Sequence, residues 1–371
     1  MKIGIVGLGL IGGSLGRVIT KKTNDAVYAF DISDKAMATG LLLSAYTEKL
    51  TQDNVGEMDV VFFSLYPNAL EDALNEYCPK LKDGCIVIDC CGNKRRVYKQ
   101  MKELAEKYPN LEFVGAHPMA GREFSGVSHS TANLFDKASM ILVPVKARLQ
   151  TLSFIKEYSL CLGFEKVVMS TAENHDKIIA FTSQLAHLVS SAYIKSPTAG
   201  QFMGFSAGSF RDMTRVARLS PEMWAQLTVD NADFLVNEID NIVGALNDYK
   251  NALKNKDIEQ MKKLLADGNE KKLLSEKLLR EKERLEANKA ELEKLVKSLV
   301  LLNRLYAQHR NEQQDYLAAA QKASEALNSY AVKYKAFLDE QAGILAESLQ
   351  EGVPCPVCGS VSHPDPAVKA A

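Results

Sequence analysis

No stretch of this chain approaches the roughly 20 consecutive apolar residues that a membrane-spanning helix needs. Charge of one sign is also missing. Forty-five Lys and Arg stand against 46 Asp and Glu, a formal net charge of -1, so nothing in the balance recommends nucleic acid or an anionic membrane as a partner. The start, Met1-Lys2-Ile3-Gly4-Ile5-Val6, reads as a strand and lacks the apolar core and cleavage site of a signal peptide. Cytoplasmic residence is the expectation. Cysteine is sparse and odd in number: Cys78, Cys85, Cys90, Cys91, Cys161, Cys355 and Cys358. That usage argues against a disulfide framework and suits a reducing compartment. Proline is absent between Pro221 and Pro354, which leaves long uninterrupted helices open to that region. What remains is ordinary for a globular protein, 46% hydrophobic and 25% charged over 371 residues, long enough for two or three cored domains.

Three patterns divide the chain. Residues 1–170 alternate β-rich runs with helical stretches, the strands falling at Lys2–Gly7, Ala26–Asp31, Asp59–Ser64, Cys85–Asp89, Glu112–Ala116, Ser139–Pro144 and Glu165–Met169. Several are continuously apolar, as in parallel strands covered on both faces, and predict a doubly wound α/β (Rossmann) domain. Residues 171–277 show only helical periodicity, for example Ile178, Phe181, Leu185, Leu188 and Val189, and predict an all-α second domain. From 278 to 351, Leu278, Leu285, Leu292 and Leu299 recur every seven residues with Leu295 and Leu302 at the alternate seam, and Ala323, Tyr330, Phe337 and Ile344 keep the same spacing. Such heptads predict coiled-coil helices. A Pro-, Gly- and Ser-rich tail, 352–371, follows around Cys355 and Cys358.

Gly7-Leu8-Gly9-Leu10-Ile11-Gly12 follows the first strand and opens a helix, the context that gives a glycine fingerprint its meaning. Gly7 permits the turn, Gly9 lets the backbone approach a pyrophosphate, and Gly12 allows helix and strand to pack closely; the helix dipole then favours the phosphates. Asp31 closes the second strand, near the roughly 20-residue offset of the acid that binds the ribose hydroxyls. Its charge repels a 2′-phosphate and favours NAD over NADP, with Lys35 nearby as the one dissenting charge. Gly7, Gly9, Leu10, Ile11, Gly12, Asp31 and Ser64, which ends the third predicted strand, form the candidate cofactor set.

The loop Gly115-Ala116-His117-Pro118-Met119-Ala120-Gly121-Arg122-Glu123-Phe124-Ser125-Gly126 places an imidazole, a guanidinium and a carboxylate among glycines. A histidine there can take a proton from a hydroxyl while a nicotinamide takes hydride from the same carbon. Together with the N-terminal GLGLIGGSLG, the turn Asp89-Cys90-Cys91-Gly92-Asn93-Lys94, the run Thr182-Ser183-Gln184-Leu185-Ala186-His187, and Ser209-Phe210-Arg211-Asp212-Met213-Thr214-Arg215 with Trp224 beyond, this loop resembles the prephenate/arogenate dehydrogenase family of tyrosine biosynthesis. The resemblance covers residues 1 to about 277.

It implies NAD-dependent oxidative decarboxylation of a cyclohexadienol. His117 is the implied acceptor of the ring hydroxyl proton, His187 a second catalytic or orienting histidine, and Arg215 the clamp on a substrate carboxylate. Glu123, Ser125 and Trp224 are implied to line or gate the substrate pocket, and a homodimer is expected. Prephenate and arogenate, which differ by an amino group, both remain open as substrate. Gly92 stands where some relatives have serine, and Gln184 where some have histidine. A 3-hydroxyacid dehydrogenase would share the glycine pattern but call for a lysine on the helix after the cofactor domain, where this chain offers His175 and His187. Lys94 reads as a cofactor- or substrate-side charge, or a solvated one.

The last block resembles something else. Gly352-Val353-Pro354-Cys355-Pro356-Val357-Cys358-Gly359-Ser360 with His363-Pro364 is similar to the coiled coil and zinc hook of the SbcC-type large subunit of a DNA-repair exonuclease. In that resemblance two chains each give one cysteine pair, so Cys355 and Cys358 are half of an intermolecular zinc site, with His363 the alternative third ligand within one chain. A structural tether joined through this tail is the expectation of a different class.

Overall fold

The computed structural model describes residues 1–122, 124–206 and 208–368. The apolar runs pair into one eight-stranded sheet. In chain order its elements are β1 (Lys2–Val6), α1 (Leu10–Lys22), β2 (Ala26–Phe30), α2 (Asp34–Leu42), β3 (Glu48–Lys49), β4 (Val60–Phe63), α3 (Pro67–Tyr77) and β5 (Ile86–Asp89). Then come α4 (Arg95–Lys107), β6 (Glu112–Pro118), β7 (Ser139–Lys146), α5 (Leu149–Leu162) and β8 (Lys166–Met169). The spatial order is β3-β2-β1-β4-β5-β6-β7-β8. All neighbours run parallel except β6 and β7, so the last two strands are reversed. All seven predicted strands form; the two-residue β3 is too short to leave a pattern.

Alternation along each strand divides the core into two layers. Ile3, Ile5, Val60, Phe62, Ile86 and Ile88 pack with α1 and α5 on one face. Val61, Phe63, Val87 and Phe113 pack with α3 and α4 on the other. Strand order reverses direction about β1, which puts the crevice of a doubly wound sheet at the carboxyl ends of β1 and β4.

The helical region begins with α6 (Ala172–Ile179), capped by the Thr171 hydroxyl, which accepts from Asn174 N–H at 3.2 Å. It continues without a break through a π-helical turn at Ala180–Leu185 into α7 (Ala186–Tyr193). Then come α8 (Ser209–Thr214), α9 (Pro221–Val229) and α10 (Ala232–Lys254), which packs on α6 and the π turn. The first compact unit of the chain ends at Ile258. The second begins at Glu259, one residue into α11 (Ile258–Glu347), 90 residues of continuous helix, and includes the tail beyond it. The composition break expected near residue 277 therefore falls inside one helix. At about 1.5 Å per residue α11 extends for roughly 135 Å, and its seam residues Leu278, Leu285, Leu292 and Leu299 are all exposed.

Candidate active site

The glycine fingerprint is built as its spacing suggests. Gly7 has φ +95°, and a Cβ on it would lie 2.6 Å from Ser64 O; one on Gly12 would lie 1.9 Å from Gly7 O. Those two positions weld β1, α1 and β4 together. Gly9 differs: a Cβ there meets nothing within 4 Å. It is the N-cap of α1, and no side chain caps that helix or places an acid in its first turn. Unsatisfied amides and the positive dipole end thus face an open approach. Ser64 Oγ is buried with no hydrogen-bond partner among the described residues. Asp31, at the mouth, accepts Leu8 N–H at 2.7 Å and Ser33 N–H at 2.8 Å, so its carboxylate is held in place with lone pairs to spare. The site is a cradle for a dinucleotide.

Two strands over, β5 and β6 carry the reactive groups. Asp89 ends β5 opposite Gly115 of β6. Its carboxylate pairs with the Lys94 ammonium, the two side chains being 0% and 1% exposed, and accepts Cys91 N–H at 2.9 Å. Burial pushes the Asp89 carboxyl up against the pull of the Lys94 ammonium. A Cβ at Gly115 would fall 3.1 Å from Asp89 Oδ2 and 3.3 Å from Lys94 Cδ, so the ion pair explains the glycine. Lys94 is not solvated; its ammonium is the internal counter-ion of Asp89.

His117 lies two residues along β6 from Gly115, half-buried. Its Nδ1 is 2.9 Å from His175 Nε2, and His175 Nδ1 is 2.7 Å from Asp176 Oδ1. Asp176 is pinned in turn. Its Oδ1 accepts Lys94 N–H at 2.7 Å, and its Oδ2 accepts Arg95 N–H at 2.9 Å and Arg95 Nε–H at 3.4 Å. Lys94 and Arg95 begin α4, so the carboxylate caps that helix from the helical region. Burial works to raise its pKa, but His175 and the two backbone amides outweigh it and hold the carboxyl below its usual range.

Hydrogen-bond roles along this chain follow from the acceptor at its end. An ionised Asp176 can only accept, so His175 donates from Nδ1 and presents Nε2 as a lone pair. His117 then donates from Nδ1, which leaves its own Nε2 unprotonated. Burial, then the neighbouring His175 and the Lys94 charge, hold His117 well below the ordinary histidine value of 6.5. The arrangement prepares one neutral acceptor nitrogen.

A second network fixes the helical region. Gln184, in the π turn, donates to Asn93 Oδ1 at 3.0 Å and Leu227 O at 3.1 Å, and accepts from Asn231 Nδ2 at 2.8 Å. Gly92 sits under Leu227, where a Cβ would be 3.1 Å from a methyl carbon. The two departures from the family pattern are thus packed against each other's neighbours. The π turn also separates His175 from His187. His187 Nδ1 donates to Ser183 O at 2.7 Å, and its ring stacks obliquely on Trp224 with centroids 4.3 Å apart. Both rings remain half-buried.

The loop after β6 is anchored to α1, since Ser14 Oγ accepts Thr131 N–H at 3.1 Å and Arg17 reaches Ser130 O. Phe124 stacks on His129 and lies 5.5 Å from the Arg218 guanidinium, which brings the segment after α8 to this loop. Ser125 and Arg215 are exposed, Arg215 immediately following α8. Glu123 lies outside the described residues. Sequence reasoning singled out His117 but missed the residues that orient it. The His175-Asp176 dipeptide in the first turns of α6 was the available signal, and a weak one.

Fold and site define a nucleotide-binding enzyme with a helical second domain and a histidine pair near the carboxyl end of the internal strand β6. The family comparisons agree in detail. Residues 15–167 match the description "Prephenate dehydrogenase, nucleotide-binding domain" and residues 171–267 match "Prephenate dehydrogenase, dimerization domain". The chain belongs to the prephenate dehydrogenase family. It is 32% identical over 266 residues to a cyclohexadienyl dehydrogenase of Zymomonas mobilis, covering 69% of this chain and 89% of the relative. A prephenate dehydrogenase of Bacillus subtilis is 27% identical over 268 residues, covering 69% and 71%. Among solved structures, prephenate dehydrogenase from Aquifex aeolicus with hydroxyphenyl propionate and NAD+ has the same fold at TM-score 0.65 and 24% identity, over 74% of this chain and 97% of that one. Arogenate dehydrogenase of Synechocystis gives 0.62 at 22% identity, over 73% and 99%.

Proposed function

We propose that this enzyme oxidatively decarboxylates prephenate to 4-hydroxyphenylpyruvate with NAD, and that the Asp176–His175–His117 chain supplies its base. The observation that carries this reading is the 2.9 Å contact between the two histidine rings. It leaves His117 Nε2 as the free acceptor. NAD supplies the hydride acceptor when bound in the Gly7–Gly12 cradle, with Leu10 and Ile11 at the start of α1, Ser64 at the crevice and Asp31 on the ribose.

His117 Nε2 takes the ring hydroxyl proton as the carbon is oxidised. Loss of CO2 leaves a phenolate, and the same nitrogen returns the proton to that oxygen, so none is released overall. Arg215 holds a substrate carboxylate. His187, with its ring backed by Trp224, orients the other end, and the exposed Ser125 borders the entrance. Aromatisation supplies the driving force; the protein supplies orientation and one well-placed lone pair.

The test is NADH formation from NAD and either purified prephenate or arogenate. Faster turnover of prephenate is expected, and preference for arogenate would reassign the substrate without touching the base. Because protonation of His117 is disfavoured, kcat/KM should stay level through neutral pH and fall only below 6.5. His117→Asn should lower kcat by about 10²–10⁴ and lose that acid limb. An inflection above 6.5 would assign the base elsewhere.

The cofactor half has its own test. Gly9 has room for a methyl group in the protein itself, so Gly9→Ala should keep its melting temperature while NAD affinity drops by about tenfold, or about 1.4 kcal/mol. Fluorescence titration reads this, and unchanged affinity would move the pyrophosphate away from Gly9.

The same reading makes the enzyme a cytoplasmic homodimer. Support comes from an apolar groove on the helical region lined by Phe181, Leu185, Val189, Met213 and Ile242. The exposed Leu seam of α11 suits packing against a second such helix.

A further inference from the structure

α4 begins with Arg95 and Arg96, two cations at the helix end where the dipole disfavours them, with no side-chain cap and no acid in the first turn. The charge that answers Arg95 comes from the helical region. Its Nη1 donates to Asp233 Oδ2 at 2.7 Å, and its Nη2 to Asn231 Oδ1 at 3.0 Å and to Asp233 Oδ1. Its Nε donates to Asp176 Oδ2 at 3.4 Å, and the guanidinium carbon lies 4.4 Å from the centre of the Phe234 ring. One planar group thus grips the first turn of α10 with its fork and the carboxylate of the base chain with its remaining donor. Asn231, fully buried, closes the ring: its Nδ2 donates to the main-chain carbonyl of Asp176 at 2.9 Å. The outer anchor keeps its charge, since the Arg95 fork holds the Asp233 carboxyl down at about 2.

We propose that Arg95 is a positioning residue of the reaction, coupling Asp233 to Asp176 and so fixing the carboxylate oxygen that receives the His175 proton donor. This rests on the Asp176–His175–His117 reading of the base. The terminal torsion of an aspartate is soft, so its carboxylate plane is set by outside donors. Arg95 takes Oδ2 with both its amide and Nε, which leaves Oδ1 to His175 and the Lys94 amide. Arg96 supplies the contrast. It meets Asn68 Oδ1 at 3.0 Å and Asp230 Oδ2 at 3.4 Å, so it ties α4 to the segment before α10 without bonding Asp176, His175 or His117.

Steady-state kinetics with NAD and the faster of prephenate and arogenate tests this, with kcat per folded enzyme and KM read separately. Arg95→Ala should lower kcat about tenfold and leave KM within about twofold, and Asp233→Asn, at an exposed position, should lower kcat about threefold. In an Asp176→Ala background Arg95→Ala should cost no further kcat, because the group it acts through is gone. Arg96→Ala should turn over as wild type does. An Arg95→Ala kcat within about twofold of wild type would overturn the proposal, as would an equal loss in both backgrounds or the same loss in Arg96→Ala. Should Arg95→Ala fail to fold, a wild-type kcat in Asp233→Asn overturns it alone. A wild-type kcat in Asp176→Ala is a different failure, that of the base chain itself.

Discussion

Asp176→Asn is expected to lower kcat by about 10²–10⁴ with little change in KM. Two donors of Arg95 converge on one carboxylate oxygen, while Lys94 N–H and His175 share the other. An asparagine that keeps its oxygen on the two Arg95 donors turns its NH2 group toward His175 and leaves Lys94 N–H without its acceptor, whereas the opposite orientation would leave the tautomers unchanged. An NH2 group toward His175 donates, so His175 must accept at Nδ1 and carry its proton on Nε2. His117 then accepts at Nδ1 and is protonated at Nε2, the atom that has to be a lone pair. In the first orientation one isosteric change inverts both rings. Nitrogen-15 shifts of the two imidazoles would report the inversion directly, a readout that a merely structural role for Asp176 would not move. A kcat within a few-fold of wild type despite inverted tautomers would remove the relay.

Lys94→Met should destabilise the fold by about 3–5 kcal/mol, because it strands the Asp89 carboxylate in a site from which water is excluded. Against a typical stability of 5–15 kcal/mol, that is a large share, and urea unfolding would show it as a lower midpoint. The double variant Asp89→Asn with Lys94→Met should recover much of the loss, since both charges are then gone. A second effect has the opposite reach. The Lys94 ammonium disfavours protonation of His117, so its removal raises the base's pKa and moves the acid limb of kcat/KM upward. A midpoint equal to wild type would show that the pair is better solvated than its burial implies.

Four of the parallel strands could be read from the sequence because each is a short, largely apolar run ended by Gly7, Asp31, Ser64 or Asp89. The glycine fingerprint was legible for the same reason: Gly7 and Gly12 are demanded by backbone contacts that leave no room for a side chain. His117 stood out through its loop. His175, Asp176, Asp89 and Lys94 did not, because their meaning lies in pairings across 5 to 82 residues of sequence. Periodicity carries no information about such pairings. Lys94 is the clearest case: the sequence leaves it a cofactor- or substrate-side charge or a solvated one, and only the fold reveals its buried partner. The composition change near residue 277 was real in sequence but had no counterpart in the backbone, since helix propensity continues across it.

The carboxylate that sets the direction of the proposed hydrogen-bond chain belongs to α6, while the amides that steady it open α4. The chemistry is therefore conditional on two folding blocks staying docked. Any breathing motion that parts them unhooks Asp176 from Lys94 and Arg95, frees the first imidazole to rotate, and disarms the second.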